Sequence, residues 1–328
     1  MNKDNDNLKK SNRRSFPALL GEWAYNSVVK RPNQTILQRI KWKIINKILK
    51  YNDPVVNVYI GQRKMKMLLS QKTPLYYAIF PYYDKALPRI CKLLQKIDEK
   101  LIIIDVGANI GDTASLIAEK VSNASILCIE GNDVFLPFLY HNIKFIQNSS
   151  ILVEPKYCVD VLTSNKFSIE TNMGTANLSA SGDAEIENID TLDNMLNNNS
   201  IFKHANLLKI DTDGFEIMVL LGAKELLKQT HPMIFFEFTP AAYVARNQDP
   251  FYLIHLLESN GYNKALFYDN FGVPVGIYDL CNKDTLNKLI DNIDNQKVFY
   301  YDILGIHQSD EDKYLTVLNN EVNFKISD

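Results

Sequence analysis

The chain has 328 residues, 46% of them hydrophobic, with 36 Lys and Arg against 38 Asp and Glu and a formal charge of -2 at pH 7. That apolar content can bury a core and excludes a disordered chain, while the missing basic excess speaks against nucleic acid as a partner. The four cysteines form no C-x-x-C pair and no Cys/His cluster, which excludes a zinc site of the usual spacing.

Residues 1–33 begin in a polar stretch, Met1 to Lys10, without the apolar core of a signal peptide, and are expected to be a loosely packed or disordered tail. Residues 34–98 form an N-terminal extension. From Gln34 to Lys50, Ile36, Leu37, Ile40, Ile44, Ile45, Ile48 and Leu49 recur at helical spacing, with Arg39, Lys41, Lys43, Lys47 and Lys50 opposite. Such a helix packs on the body of the protein or makes a weak contact with an anionic membrane surface. Alternation at Val56, Val58, Ile60 and again at Met65, Met67, Leu69, around Gly61-Gln62-Arg63, predicts a hairpin. An aromatic stretch, Tyr76 to Tyr83, leads to a helix from about Ala86 to Ile97. No apolar run reaches the roughly 18 residues that cross a bilayer, so the expected compartment is the cytoplasm.

From residue 99 to 310 the pattern changes. Apolar runs at Leu101–Val106, Ile126–Glu130, Ile151–Val159, Asn206–Asp211 and Met233–Phe238 alternate with helical segments near Thr113–Val121, Val134–Phe145, Phe215–Lys228 and Pro250–Asn260. Continuous apolar runs mark strands covered on both faces, and their alternation with helices predicts an α/β, Rossmann-like, doubly wound sheet. The irregular segment Lys166–Leu196 is expected to be a lid or an added hairpin, and residues 311–328 a C-terminal tail.

Ligands of such sheets sit beyond the carboxyl ends of the strands. After the first run comes Asp105-Val106-Gly107-Ala108-Asn109-Ile110-Gly111, whose glycines let the backbone approach a ligand and open a helix toward it. About twenty residues on, Glu130-Gly131 places a carboxylate where it can accept both hydroxyls of a ribose. The spacing is G-x-x-x-G rather than G-x-G-x-x-G, and Asp112, an N-cap candidate, would repel a pyrophosphate; an adenosine ligand with an amino-acid tail therefore fits better than a dinucleotide. After the fourth run, Asp211, Asp213 and Glu216 converge near the same crevice, as a general base, a divalent-cation site or helix-capping groups. Glu237 closes the fifth run, with Lys209 as a candidate ion partner.

In that order, IIIDVGANIGDTA (102–114), CIEG (128–131), LLKIDTDGFE (207–216) with LGA (221–223), and HPMIFFEF (231–238), the sequence resembles the FkbM family of S-adenosylmethionine-dependent methyltransferases. The resemblance implies a class I methyltransferase fold and O-methylation of a sugar, glycolipid or secondary metabolite. It implies that Asp105, Gly107 and Asn109, with Ala108, Gly111 and Asp112 in the same turn, surround the amino-acid part of S-adenosylmethionine. Glu130 and Gly131 would hold its ribose, Asp160 its adenine, and Asp211 would lie nearest the methyl group. Asp213 stands where many members carry Glu. Asp211 and Glu237 are the first candidates for the catalytic base; His204, His231 and His141 are weaker. A divalent metal and a homo-oligomer are left open. The rival expectations are an NAD(P)-dependent sugar oxidoreductase or epimerase, for which Tyr140 and Lys144 have the right spacing on too early a helix, and a non-catalytic protein of the same fold.

Overall fold

The computed structural model describes residues 15–32, 36–160, 168–172, 175–179, 188–295 and 297–324, and divides into two compact units, residues 1–79 and 80–328.

In the first unit, α1 (Phe16–Lys30) starts at Ser15, whose side chain accepts the Ala18 N–H, with Pro17 in the first turn, where no N–H is needed. α2 (Ile36–Leu49) packs on α1, and β1 (Val55–Ile60) pairs with β2 (Arg63–Leu68) in the expected hairpin, Ile60 opposite Arg63; α3 (Thr73–Ile79) follows. α1 corrects the expectation of a tail over residues 1–33. Its buried face is built on the small residues Ala18, Gly21 and Ala24 around Tyr25, so it packs closely without a long apolar run. α2 is helical as expected, yet Ile36, Leu37 and Ile40 are exposed.

The second unit begins with α4 (Ala86–Leu94), β3 (Ile102–Val106), α5 (Asp112–Lys120), β4 (Ala124–Ile129), α6 (Leu136–Ile143) and β5 (Ser149–Glu154). Then come β6 (Tyr157–Cys158), β7 (Ser168–Asn172), β8 (Thr175–Ser179), β9 (Ile189–Asp190), α7 (Leu192–Asn198), β10 (Leu207–Ile210), α8 (Glu216–Leu221), α9 (Lys224–Gln229) and β11 (Met233–Phe238). It ends with α10 (Pro240–Ala245), α11 (Pro250–Ser259), β12 (Lys264–Asp269), β13 (Pro274–Asp279), α12 (Lys283–Asp294), β14 (Tyr301–Ile306) and α13 (Glu311–Val322). Eight strands make one sheet in the order β13-β12-β14-β11-β10-β3-β4-β5. The five strands from β11 to β5 are parallel, and β14 runs antiparallel between β11 and β12. Successive strand residues face opposite layers: Ile103 joins the core under α4, α5 and α13, and Ile104 the core under α7, α8 and α11. The doubly wound α/β sheet is therefore the one expected.

Three differences have physical reasons, and the segment Lys166–Leu196 holds an added hairpin as expected. The run Ile151–Val159 is two elements, because Pro155 cannot donate to a ladder. The helix expected over Phe215–Lys228 breaks at Gly222, where a Cβ would sit 2.6 Å from the Val159 carbonyl oxygen. Within Lys166–Leu196, β7 pairs with β8 as a hairpin, α7 begins at Leu192, and residues 173–174 and 180–187 lie outside the described residues. In place of a C-terminal tail, α13 buries Tyr314, Val317 and Leu318 in the core. Residues 1–14, 33–35 and 325–328 also lie outside the described residues.

Candidate functional site

At the carboxyl ends of β3, β4 and β10 lies an open cleft. One wall is the turn after β3. Gly107 takes φ 80° and Asn109 φ 47°, and Gly111, the α5 N-cap, φ 84°. The Gly107 and Ala108 N–H groups donate to the Ile129 carbonyl (3.0 and 3.1 Å), which ties this turn to the end of β4. A Cβ on Gly107 would stand 1.9 Å from the Asp211 carbonyl oxygen, so β3 and β10 can close on each other here only through glycine.

Glu130 stands at the centre. Its Oε2 accepts the Asn109 N–H (2.9 Å) and its Oε1 the Asn132 N–H (2.8 Å), bridging the turns after β3 and β4. Burial raises its pKa, and these amides pull it back toward the charged form. Each oxygen keeps a second lone pair, the arrangement needed to accept two neighbouring ribose hydroxyls. Gly131 lets the Tyr157 ring close over the turn, since a Cβ there would meet that ring at 2.4 Å. Tyr157 and Phe215 form the apolar side, a pair of rings suited to a flat base. The carboxylate, the glycine-opened turn and the aromatic side together fit an adenosine ligand. We expect Glu130→Gln to weaken S-adenosylhomocysteine binding about tenfold or more in calorimetry and to cost about 1–3 kcal/mol of stability, because a neutral amide offers one acceptor oxygen in place of two and leaves one of the two backbone N–H groups facing its NH2.

Beneath the cleft, Lys209 is the organising cation. Its ammonium lies 3.0 Å from Asp105, 3.3 Å from Asp211 and 3.1 Å from the Gly107 carbonyl, which accounts for its three donors. Burial opposes its charge, but Asp105, Asp211 and Asp112 outweigh that and hold its pKa above the usual range. Asp105 is fully buried, and desolvation raises its pKa more than Lys209 lowers it.

Of the residues expected at the cofactor, Gly107, Asn109, Glu130, Gly131 and Asp211 line the cleft. Five others lie outside that lining. Asp105 points under the floor into its ion pair with Lys209. Ala108 belongs to the core, and Gly111 faces Leu139 and Ile143. Asp112 is the first residue of α5, after its N-cap, and Asp160 is buried beyond the β6–β9 ladder. Lys209 is not the partner of Glu237: the register sets Lys209 opposite Asp105 on β3, whereas Glu237 lies two residues further along β11 than the residue facing Lys209. Glu216 clamps the turn after β10, accepting the N–H groups of Thr212 (3.0 Å) and Gly214 (3.2 Å). His141 packs on Phe145, His204 ends a 3-10 turn before β10, and Tyr140 is exposed on α6; none lines the cleft.

Sequence reasoning missed Tyr157, hidden in a run read as one strand although Pro155 marked the break, and Phe215, read only as the start of a helix. It also missed Asp302. Glu237 and Asp302 are direct partners across the antiparallel β11–β14 pair, and extending the β10–β11 register by one residue sets Asp211 beside Glu237. Three carboxyls thus cross the sheet in one row on one face. Burial, then Asp211 and Asp302, push Glu237 well above the carboxylate range; burial, then Asp84 and Asp211, do the same to Asp302. Asp213, in the left-handed region at φ 52° and lining the cleft, is pushed up to about 7 by burial, Asp211 and Glu216.

Among the described residues, one group brings three metal-ligating side chains together: His231, His307 and Asp310, at the strand-start end of β11. The two rings stack in parallel, 3.7 Å apart at 3°, so their in-plane lone pairs do not converge, and His307 Nδ1 accepts the Ser309 N–H as a helix cap. The geometry is that of a cap rather than a cation site. Burial, then His231, lower the His307 pKa below its ordinary 6.5. The fold therefore favours the neutral ring, and stability should be lost as pH falls below 6.5, where the unfolded state takes up the proton first. We expect the melting temperature to drop between about pH 7.5 and about pH 5.5, and to drop less in His231→Asn, which suits the positive φ and removes the neighbouring ring.

Comparison with known proteins follows the same lines. A search of curated proteins finds no match. Among solved structures, the chain is similar to the methyltransferase FkbM from Methylobacillus flagellatus KT (17% identity, 49% of this chain and 37% of that one, TM-score 0.34). It is also similar to the Methanococcus jannaschii fibrillarin pre-rRNA processing protein (13%, 79% and 84%, TM-score 0.37). The chain thus spans 37% of the length of the Methylobacillus protein. Residues 105–264 match the family model of the methyltransferase FkbM domain, from the end of β3 to the start of β12. Residues 105–264, just under half of the chain, thus match a methyltransferase FkbM domain on the α/β sheet described above, and such a methyltransferase domain implies S-adenosylmethionine as the methyl donor.

Proposed function

We propose that the protein is an O-methyltransferase whose acceptor is a hydroxyl of a sugar, glycolipid or secondary metabolite. The observation that carries this reading is the group of carboxyls at the strand ends: Asp213, which lines the cleft, beside the row Asp211, Glu237 and Asp302. Carboxyls accept hydrogen bonds from hydroxyls, and a buried one near neutrality can take a proton from an alcohol. When bound, the cofactor supplies an electrophilic methyl group. Gly107, Asn109, Glu130 and Gly131 hold and orient it, and Tyr157 and Phe215 exclude water from its base. Asp211, with half of its side chain exposed and braced from below by Lys209, faces the acceptor. With the cofactor bound, Asp213 would take the hydroxyl proton at its carboxylate oxygen as the acceptor oxygen bonds to the methyl carbon and the sulfur keeps the electron pair of the broken methyl–sulfur bond, leaving S-adenosylhomocysteine.

Two measurements test this. Methyl transfer from radiolabelled cofactor to glycan, glycolipid and small-metabolite extracts should yield an ether that resists the mild base that cleaves esters; label on nitrogen or carbon would overturn it. The rate at saturating cofactor should rise as pH passes about 7 and Asp213 ionises. Asp213→Asn should remove that rise and slow transfer about a hundredfold or more, with cofactor affinity unchanged within about threefold.

A further inference from the structure

The chain is divided by charge. Residues 1–79 hold 16 of its 36 Lys and Arg but only 4 of its 38 Asp and Glu, so the first unit is basic by 12 charges and the rest acidic by 14. The same unit displays apolar side chains. On α1, Phe16, Leu19 and Trp23 recur at i, i+3 and i+7, and on α2 Ile36, Leu37 and Ile40 share the first turns; each is between 50% and 78% exposed. The two groups adjoin basic side chains: the Lys41 ammonium lies 5.7 Å from the Trp23 ring centre and Lys41 donates to Ser27 on α1. Arg39, Lys43 and Lys47 stand exposed further along α2.

We infer that the first unit is a membrane-docking module that seats the apolar side chains of α1 and α2 in the surface of an anionic lipid bilayer. Two independent features select that partner. The charge excess matches a negatively charged surface. Leucine, isoleucine, phenylalanine and tryptophan beside lysine are the composition of helices that lie at the boundary between headgroups and acyl chains. Nucleic acid would satisfy the charge but offers aliphatic side chains nothing to stack on. No helix among the described residues is long and apolar enough to cross a membrane, so the contact lies on the surface. This inference is independent of the acceptor proposed above.

Both tryptophans, Trp23 and Trp42, belong to this unit, so intrinsic fluorescence reports on it alone. The full chain should sediment with vesicles of phosphatidylcholine containing phosphatidylglycerol, with a blue shift of tryptophan emission, and at least about tenfold less with phosphatidylcholine alone. Arg39→Gln/Lys43→Gln/Lys47→Gln should lower the partition coefficient roughly a hundredfold, as should rising salt. Leu19→Ser/Ile36→Ser/Ile40→Ser should abolish the blue shift. All six positions are exposed, so both variants should melt at the parent temperature. Equal binding to neutral and anionic vesicles, or binding indifferent to both variants, overturns the inference. So does tight binding to a random-sequence RNA without vesicle binding, or salt-sensitive self-association in light scattering, where the acidic unit of a second copy covers this surface instead.

Discussion

Lys209→Met should cost about 3–5 kcal/mol of stability, because it leaves Asp105 fully buried with no counter-ion and releases the Gly107 carbonyl. Chemical denaturation at neutral pH measures it. The loss should depend on pH with a defined sign. Burial already raises the Asp105 pKa in the parent, and removing the ammonium raises it further. A carboxyl whose pKa is higher in the fold than in the unfolded chain lends stability below its unfolded value and loses it as pH rises through the folded one. The gap between variant and parent should therefore narrow as pH falls toward 3.8 and widen as pH rises. Adding Asp105→Asn should recover most of the loss, since a neutral, similarly shaped side chain carries no charge to strand. If the double variant were as unstable as the single one, the ion pair would not be the cause. Asp105→Ala is accordingly expected to lower stability first and cofactor binding only as a consequence.

The second large effect is expected at Gly107→Ala. The new Cβ meets the Asp211 carbonyl oxygen at 1.9 Å, and φ 80° is costly for any residue with a side chain. Both partners are backbone, so no side-chain rotation relieves the clash, and a cost on the order of 3 kcal/mol follows. Because the same turn sets the Asn109 N–H against Glu130, S-adenosylhomocysteine affinity should fall more steeply than stability. Gly305→Ala is the control. Its Cβ would find neighbours at 3.6 and 3.8 Å, ordinary contacts, and should change neither measurement by more than about 1 kcal/mol.

The elements legible in the sequence were those whose signal is local. Ile102 to Val106 and Met233 to Phe238 appear as unbroken apolar runs because parallel strands are covered on both faces. Glycines at 107 and 111 and the acid at 130 announced a nucleoside-binding turn because backbone conformation and residue type are linked at each position. β12, β13 and β14 were not read at all. β13 has one exposed face, and β14 pairs only with strands distant in sequence.

The tertiary structure alone decided which carboxylates line the cleft. Residue types at 105, 209, 211, 237 and 302 were all visible, and Lys209 was read as the partner of Glu237, whereas it pairs with Asp105 and Asp211. Which acid it meets depends on strand register, and a change of register exchanges every partner and face. Register is set by pairing across more than a hundred residues of chain, as between β3 and β10, and no local pattern encodes it. For that reason Asp105 passed from ligand contact to buried foundation, Asp302 entered the row beside Glu237, and the exposure of Ile36, Leu37 and Ile40 emerged only once α1 and α2 were packed. Local motifs pointed to a nucleoside ligand on an α/β sheet; long-range pairing determined the walls of the cleft.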